Sequence, residues 1–376
     1  MPLVDFRLAI EGDAVDDADL RRLLRTNPLP GDIHLTYERE PSFWAGAGIE
    51  GTLHQTMIVR AQDGRAVGMG SRSVRLLYVN GEAQPVGYMS QMRVDRDFAW
   101  GISLPKVLAQ GWRFFRQLHQ DGRVPYYLVS LVAGENVASR MMTLGLPEWP
   151  TLHAVGGLLT FALLVRRERS VPRLESGMRL RRATEDDREA IAECLARNGR
   201  RRHFSPVWEA PMLGDPQVTP DLALHDFWLV ERGSQVVGTA ARWNQQRFKQ
   251  TVVRGYDERL LKLRPTINLA ARVGLAPHLP AIGEMVRHSF ASHFAVDHDD
   301  VQVGATLLAA LYNDTVRAGD AYLMVGLDTE HPFAKITRRY RRLVYATQLF
   351  LATWGDEVAL TRQMDKRQMG AEIAVL

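Results

Sequence analysis

The sequence predicts an α/β fold: a mixed sheet with helices on both faces, built twice in tandem. Three observations carry this reading. A strand–turn–helix segment recurs after a fixed interval, and each copy leads into an antiparallel meander. A helix and a further strand follow each meander, and such a crossover sets that strand parallel to a neighbour.

The first copy, FRLAIEGDAVDDADLRRLLRTN, gives a short strand, an acidic turn and a helix ending at Asn27. The second, MRLRRATEDDREAIAECLARN, repeats that order and ends at Asn198. Thr184 is its expected N-cap, with acidic residues in the first turn to complement the helix dipole. Asn27 to Asn198 is an offset of 171, and Gly68 to Gly238 is 170. Two anchors at nearly one spacing argue for duplication.

MIVRAQDGRAVGMGSRSVRLLYVNGEAQPVGYMSQMRV predicts three strands, joined by hairpin turns at Asp63-Gly64 and Asn80-Gly81. FWLVERGSQVVGTAARW repeats the meander with Gly233 at its turn. The crossover helices are LPKVLAQGWRFFRQLHQDG and VGATLLAALYNDTVRAGD, leading to the strands VPYYLVSLVA and AYLMVGLD. Further helices are expected from ENVASRMMTLG and PFAKITRRYRRL, and closing strands from GGLLTFALLV and TQLFLATW. The charged stretch RRERSVPRLESGM marks the boundary, giving domains 1–168 and 178–376.

The 376 residues, 46% hydrophobic and 24% charged, suffice for two buried cores. One cysteine, Cys194, excludes an intramolecular disulfide framework and fits a reducing compartment. It lies in a helical pattern and reads as a buried residue. No signal peptide is visible, and the most apolar run, Val155 to Val165, is too short to span a bilayer. A cytoplasmic protein without a membrane partner is expected. The net charge of +4 does not argue for nucleic acid. The runs Arg200, Arg201, Arg202 and Arg338, Arg339, Arg341, Arg342 read as solvated faces. His288, His293 and His298, five apart, do not converge on a metal.

This strand order, with a glycine-containing turn after the fourth strand of the first half, resembles the GNAT N-acetyltransferase superfamily in its tandem, two-domain form. The resemblance covers nearly the whole chain. It implies an acyl-CoA co-substrate, with acetyl-CoA first in line, and a small-molecule amine or amino acid-like acceptor. The family's pyrophosphate loop, Arg/Gln-x-x-Gly-x-Gly/Ala, is matched by Arg96-Asp97-Phe98-Ala99-Trp100-Gly101, with Ala99 in place of the first Gly. The following helix is expected to start at Ser103 or Leu104, with Pro105 tolerated in its first turn. Unpaired amides from about Trp100 to Lys106 would then point at the loop and suit phosphate oxygens, with Ala99, Trp100, Gly101, Ile102 and Ser103 as the expected donor-binding residues. Glu135-Asn136-Val137-Ala138-Ser139-Arg140 resembles the segment where pantetheine packs, which brings in Asn136 and Ser139. Where many members place a leaving-group Tyr, this chain has Thr143. The second half carries Asp297, Asp299 and Asp300 at the equivalent loop, so donor binding is assigned to the first half.

The family's fourth strand holds the acyl carbonyl through backbone amides, and Met92 and Val94 are the matching positions. Alternation puts Tyr88 and Ser90 on one face with Met92 and Val94, and Gln91 on the other. For proton transfer the strand offers Tyr88 and Ser90; Tyr127, Tyr126 and His54 are further candidates. Two other functions stay open: a non-catalytic GNAT-like binding module, and a tandem GNAT-like transferase using aminoacyl-tRNA. Homo-oligomerisation is open as well.

Overall fold

The computed structural model describes residues 4–29, 31–95, 97–98, 103–132, 149–273, 275–355 and 363–376. The first half runs β1 (Val4–Leu8), α1 (Ala14–Thr26), β2 (Ile33–Glu38), β3 (Leu53–Ala61), β4 (Ala66–Val79) and β5 (Glu82–Val94). It continues with α2 (Ser103–His119), β6 (Tyr127–Val132) and β7 (Thr151–Leu164). The second half runs β8 (Met178–Arg182), α3 (Arg188–Gly199), β9 (Phe227–Arg232), β10 (Gln235–Trp243), β11 (Gln250–Tyr256) and α4 (Glu258–Arg272). It closes with β12 (His288–Val296), α5 (Val301–Arg317), β13 (Tyr322–Asp328), α6 (Ala334–Thr337) and β14 (Arg342–Thr353).

The duplication is visible in side-chain chemistry. Asn27 caps α1 and Asn198 lies in the last turn of α3, and each donates Nδ2 to the carbonyl four residues back, at 2.8 and 2.9 Å. Asp16 and Asp187 each hold an arginine of the preceding strand through two bonds: Arg7 at 2.6 and 2.7 Å, Arg181 at the same distances. Each also accepts a backbone amide from the intervening turn, Ile10 or Thr184. The third member differs in sign. Arg60 joins Asp16, whereas Glu231 at the matching position joins Arg181. Both hairpin turns of the first meander form as expected, with Gly64 at φ 82° and Asn80 and Gly81 at 53° and 86°.

The strands form one continuous twelve-stranded sheet rather than two, in the order β1-β3-β4-β5-β6-β14-β7-β13-β12-β10-β9-β8. The closing strands are exchanged. β14 pairs antiparallel with β6 of the first half, and β7 pairs antiparallel with β13 of the second. β7 and β14 then pair with each other along their length, Arg342 opposite Leu163 and Thr353 opposite Thr151. That pairing also takes the end of PFAKITRRYRRL into a strand, so only Ala334–Thr337 is helical there. A second link lies off the main sheet, where β2 pairs antiparallel with β11. Neither β2–β11 nor α4 had a counterpart in the sequence reading.

The crossovers do set parallel pairs, β5 with β6 and β12 with β13. Cys194 is fully buried, and burial pushes its thiol up to about 12. The ENVASRMMTLG helix lies outside the described residues.

Candidate active site

In each half the parallel pair is short. β5 pairs with β6 only from Gly87–Tyr127 to Met89–Val129, and β12 with β13 only from His288–Tyr322 to Phe290–Met324. Beyond those residues the two strands no longer pair, and the unpaired space between them is the cleft of each half. The cause is a bulge: Gln91 and Met92 together oppose Gly70 between the pairs Ser71–Ser90 and Met69–Arg93. In the second half His293 and Phe294 oppose Ala240 in the same way. Gln91 at φ 54° and His293 at φ 50° adopt the left-handed backbone that a bulge residue takes.

The bulge overturns the expected alternation on β5. Tyr88 packs with Tyr126 and Leu128 on one face, while Met92 joins Met89, Trp112 and Phe115 on the α2 face. Met92 therefore does not share a face with Tyr88. The backbone of Met92 and Val94 does lie past the last β5–β6 pair, at the open edge.

On the Tyr88 face the chain assembles a buried polar group. A turn of 3₁₀ helix, Ala47–Glu50, ends at Gly51, where φ is 151° and any Cβ would collide with the Val74 carbonyl. It delivers Glu50, whose side chain is wholly buried against the equally buried Arg39 guanidinium. Burial pushes the Glu50 carboxyl up, but Arg39 and His54 outweigh it and hold the group below the usual carboxylate range. Ser90 Oγ donates to Glu50 Oε2 at 3.0 Å, directly before the bulge. His54 Nδ1 lies 3.4 Å from the same oxygen, and its Nε2 is 3.1 Å from Thr56 Oγ1. Tyr88 Oη and Ser130 Oγ, 2.9 Å apart, tie β5 to β6 at the cleft base. Burial pushes the Tyr88 phenol up to about 12, so it stays protonated.

The second half contributes Lys249. Burial lowers its ammonium to about 8 although the Glu50 carboxylate opposes this, and Nζ donates to the Leu376 main-chain oxygen at 2.9 Å. An amine titrating at about 8 within the electrostatic reach of a buried carboxylate can carry a proton.

The second cleft is filled by the chain itself. Residues 369–373 run into it from the last segment. Met369 N donates to Asp328 Oδ2, and a Cβ on Gly326 of β13 would strike Ile373. At the bulge, the His293 amide donates to Glu372 Oε1 at 3.0 Å. A cavity of about 100 Å³ remains beside this segment, lined by Trp208, His293, Asp299, His331 and Glu372 among others. The helix N-terminus beyond is satisfied internally, since Asp300 Oδ1 accepts from Gln302 N and Val303 N at 2.8 and 3.1 Å. Asp297 pairs with Arg197, and Asp299 with Arg201 and Arg202. Arg201 and Arg202 are thus partners of this loop, not only a solvated face.

The predicted residues divide accordingly. Ser90 and Tyr88 lie at the first cleft, with His54 behind Ser90. Tyr127 does not: it is fully buried on the α2 face, its hydroxyl 3.0 Å from Arg72 Nη1 and its ring against His119 and Trp354. Strand alternation puts Tyr127 and Val129 on that face and Tyr126, Leu128 and Ser130 on the other. The described part of α2 begins at Ser103. Arg96, Ala99, Trp100, Gly101, Ile102, Asn136, Ser139 and Thr143 lie outside the described residues. Sequence reasoning missed Glu50, Arg39 and Lys249, since no motif or periodicity marks the turn that brings Glu50 onto Arg39 or the burial of Lys249.

No family model matches the chain, and no curated protein matches it in sequence. Solved structures do share its fold. Saccharomyces cerevisiae N-myristoyltransferase with bound myristoyl-CoA is similar over 94% of this chain and 84% of that one, at 11% identity and TM-score 0.58. The same enzyme with myristoyl-CoA and inhibitors aligns over 99% and 87%, at 10% identity and TM-score 0.59. A GCN5-related glucosamine N-acetyltransferase region of a fungal multi-domain β-N-acetylglucosaminidase aligns over 94% of this chain and 38% of that one, at 11% identity and TM-score 0.61. The fold is thus that of the GCN5-related N-acetyltransferases. More narrowly, it is their tandem form, two such halves sharing one sheet.

Proposed function

We propose that the chain is an acyl-CoA-dependent N-acyltransferase whose donor lies in the first cleft. The observation that supports this reading is the contrast between two equivalent clefts. In the second, the chain's own Glu372 carboxylate accepts the bulge amide that a thioester carbonyl would need. In the first, no described strand pairs with β5 beyond Met89 on the β6 side, which leaves the Gln91–Val94 edge for a ligand. Backbone donors at that edge would polarise the thioester carbonyl as negative charge develops on its oxygen. The acceptor nitrogen forms the new amide bond, the C–S bond breaks, and the amine proton leaves for a base while the CoA thiolate takes one up. Lys249 and the Ser90–Glu50 pair are the proposed proton-handling groups, and Tyr88, held protonated, is the proposed acid. The pyrophosphate is assigned to residues 99–103, and the acceptor is a small amine. The solved structures that share the fold and carry myristoyl-CoA support a CoA thioester by analogy of fold.

Thermal-shift titration with acetyl-CoA and longer acyl-CoAs tests this. The intact protein is expected to be stabilised by at least one ester and the Gly101→Asp variant by none, because a carboxylate there repels pyrophosphate. Stabilisation that survives the substitution would place the donor elsewhere.

A further inference from the structure

Helix α4 is built as a two-sided element. Its inner side packs Leu260 and Ile267 against Val253, Tyr256 and Leu279, and Asn268 Nδ2 donates to the Leu279 carbonyl at 2.9 Å. Its outer side is apolar too. Leu261, Pro265, Leu269 and Val273 stand four residues apart, which places them in one row along the helix. Leu261, Leu269 and Val273 are 45%, 65% and 73% exposed, and Leu275 just beyond is 71% exposed. The row is flanked by cations. Arg259, Lys262 and Arg272 are exposed on the same helix, against the single acidic residue Glu258. At its C-terminal end Arg166 Nη2 donates to the Ala276 carbonyl, and Arg341 reaches that of Leu275.

Charge and area together select the occupant. A stable homodimer buries roughly 800 Å² per partner, more than one row on a helix about 22 Å long provides. A two-fold contact would also bring the basic flanks of both copies together. An anionic bilayer answers both features, taking the apolar row at the acyl boundary and the guanidinium and ammonium groups at the phosphates. We propose that α4 docks the protein onto anionic phospholipid surfaces, with Leu261, Leu269, Val273 and Leu275 inserted and Arg259, Lys262 and Arg272 on lipid phosphates. No helix among the described residues is long and apolar enough to cross a membrane, so the contact is peripheral. The proposal departs from the expectation of no membrane partner, which rested on the absence of a signal peptide and of a spanning run.

Co-sedimentation of the full chain with extruded vesicles tests the proposal. Vesicles of phosphatidylcholine with phosphatidylserine are expected to carry the protein down, those of phosphatidylcholine alone are not, and added salt weakens the binding. Leu269→Glu is expected to weaken it ~10-fold or more, and the double variant Lys262→Glu/Arg272→Glu to abolish the preference for phosphatidylserine. Val15→Glu, at an exposed apolar residue elsewhere, is expected to bind as the wild type does. Absence of binding to phosphatidylserine vesicles, equal binding to both vesicle types, or undiminished binding by Leu269→Glu would overturn the proposal. So would a concentration-dependent dimer that Leu269→Glu dissociates, which would assign the face to a second copy.

Discussion

Glu50→Gln is expected to lower the stability of the fold by about 3–5 kcal/mol, the usual cost of removing one partner from a buried ion pair. Arg39 would remain buried with its counter-charge gone, since its side chain is 3% exposed and Glu50 faces it from a site with no exposure. The Ser90 hydroxyl and His54 would lose their anionic partner in the same step. The effect carries a pH signature. Glu50 is held below the usual carboxylate range, so its contribution is fully present above the unfolded value, about 4.3. It is lost as pH falls below that value towards the folded one. Urea unfolding of the two proteins should therefore differ most near neutrality and converge in acid. A loss under ~1 kcal/mol, or two curves that stay parallel into acid, would mean that Glu50 is not a buried charge on which Arg39 depends. Acyl-CoA binding should persist in the variant, because the Glu50 group lies on the opposite face of β5 from α2. Turnover should fall.

Gly326→Val is expected to release the segment that fills the second cleft. A side chain there would collide with Ile373, which lies directly over β13. The cost should be about 2–3 kcal/mol, as for other overpacked sites. Displacement would also break the bond from Met369 N to Asp328 and the one from the His293 amide to Glu372. The Leu376 main-chain oxygen would leave Lys249, so transfer should be impaired without any change at β5. Limited trypsin digestion checks this, since Lys366 and Arg367 immediately precede the segment. Faster cleavage there is the expected result. Wild-type stability together with wild-type digestion would show that the segment is not held by the cleft.

Local rules carried much of the fold. The helix that Asn27 caps, the helix expected to end at Asn198 and found to run one residue further, the Asp-Gly and Asn-Gly turns and the parallel crossovers all follow from short-range chemistry. The exchange of β7 and β14 does not. Both are long apolar strands able to cap either half, and the choice rests on pairings between residues some two hundred positions apart. The bulge at Gln91 was hidden for a different reason: no glycine or proline marks it, so alternation was carried straight through to Met92. Glu50 was equally silent, because its meaning depends on Arg39, His54 and Ser90 converging on it from separate segments. The acidic loop of the second half was legible, since Asp300 beside a helix start satisfies amides whatever the surroundings. What sequence could not show there was the chain's own segment seated in the cleft below it.

The central claim is that one acyl-CoA binds per chain, in the first cleft. Calorimetric titration of the intact protein measures this directly, with Gly101→Asp as the first-half variant and Val301→Asp as its second-half counterpart, at an exposed position. A single site, lost in Gly101→Asp and retained in Val301→Asp, is the result expected. Two sites, or one site that disappears only with Val301→Asp, would contradict it.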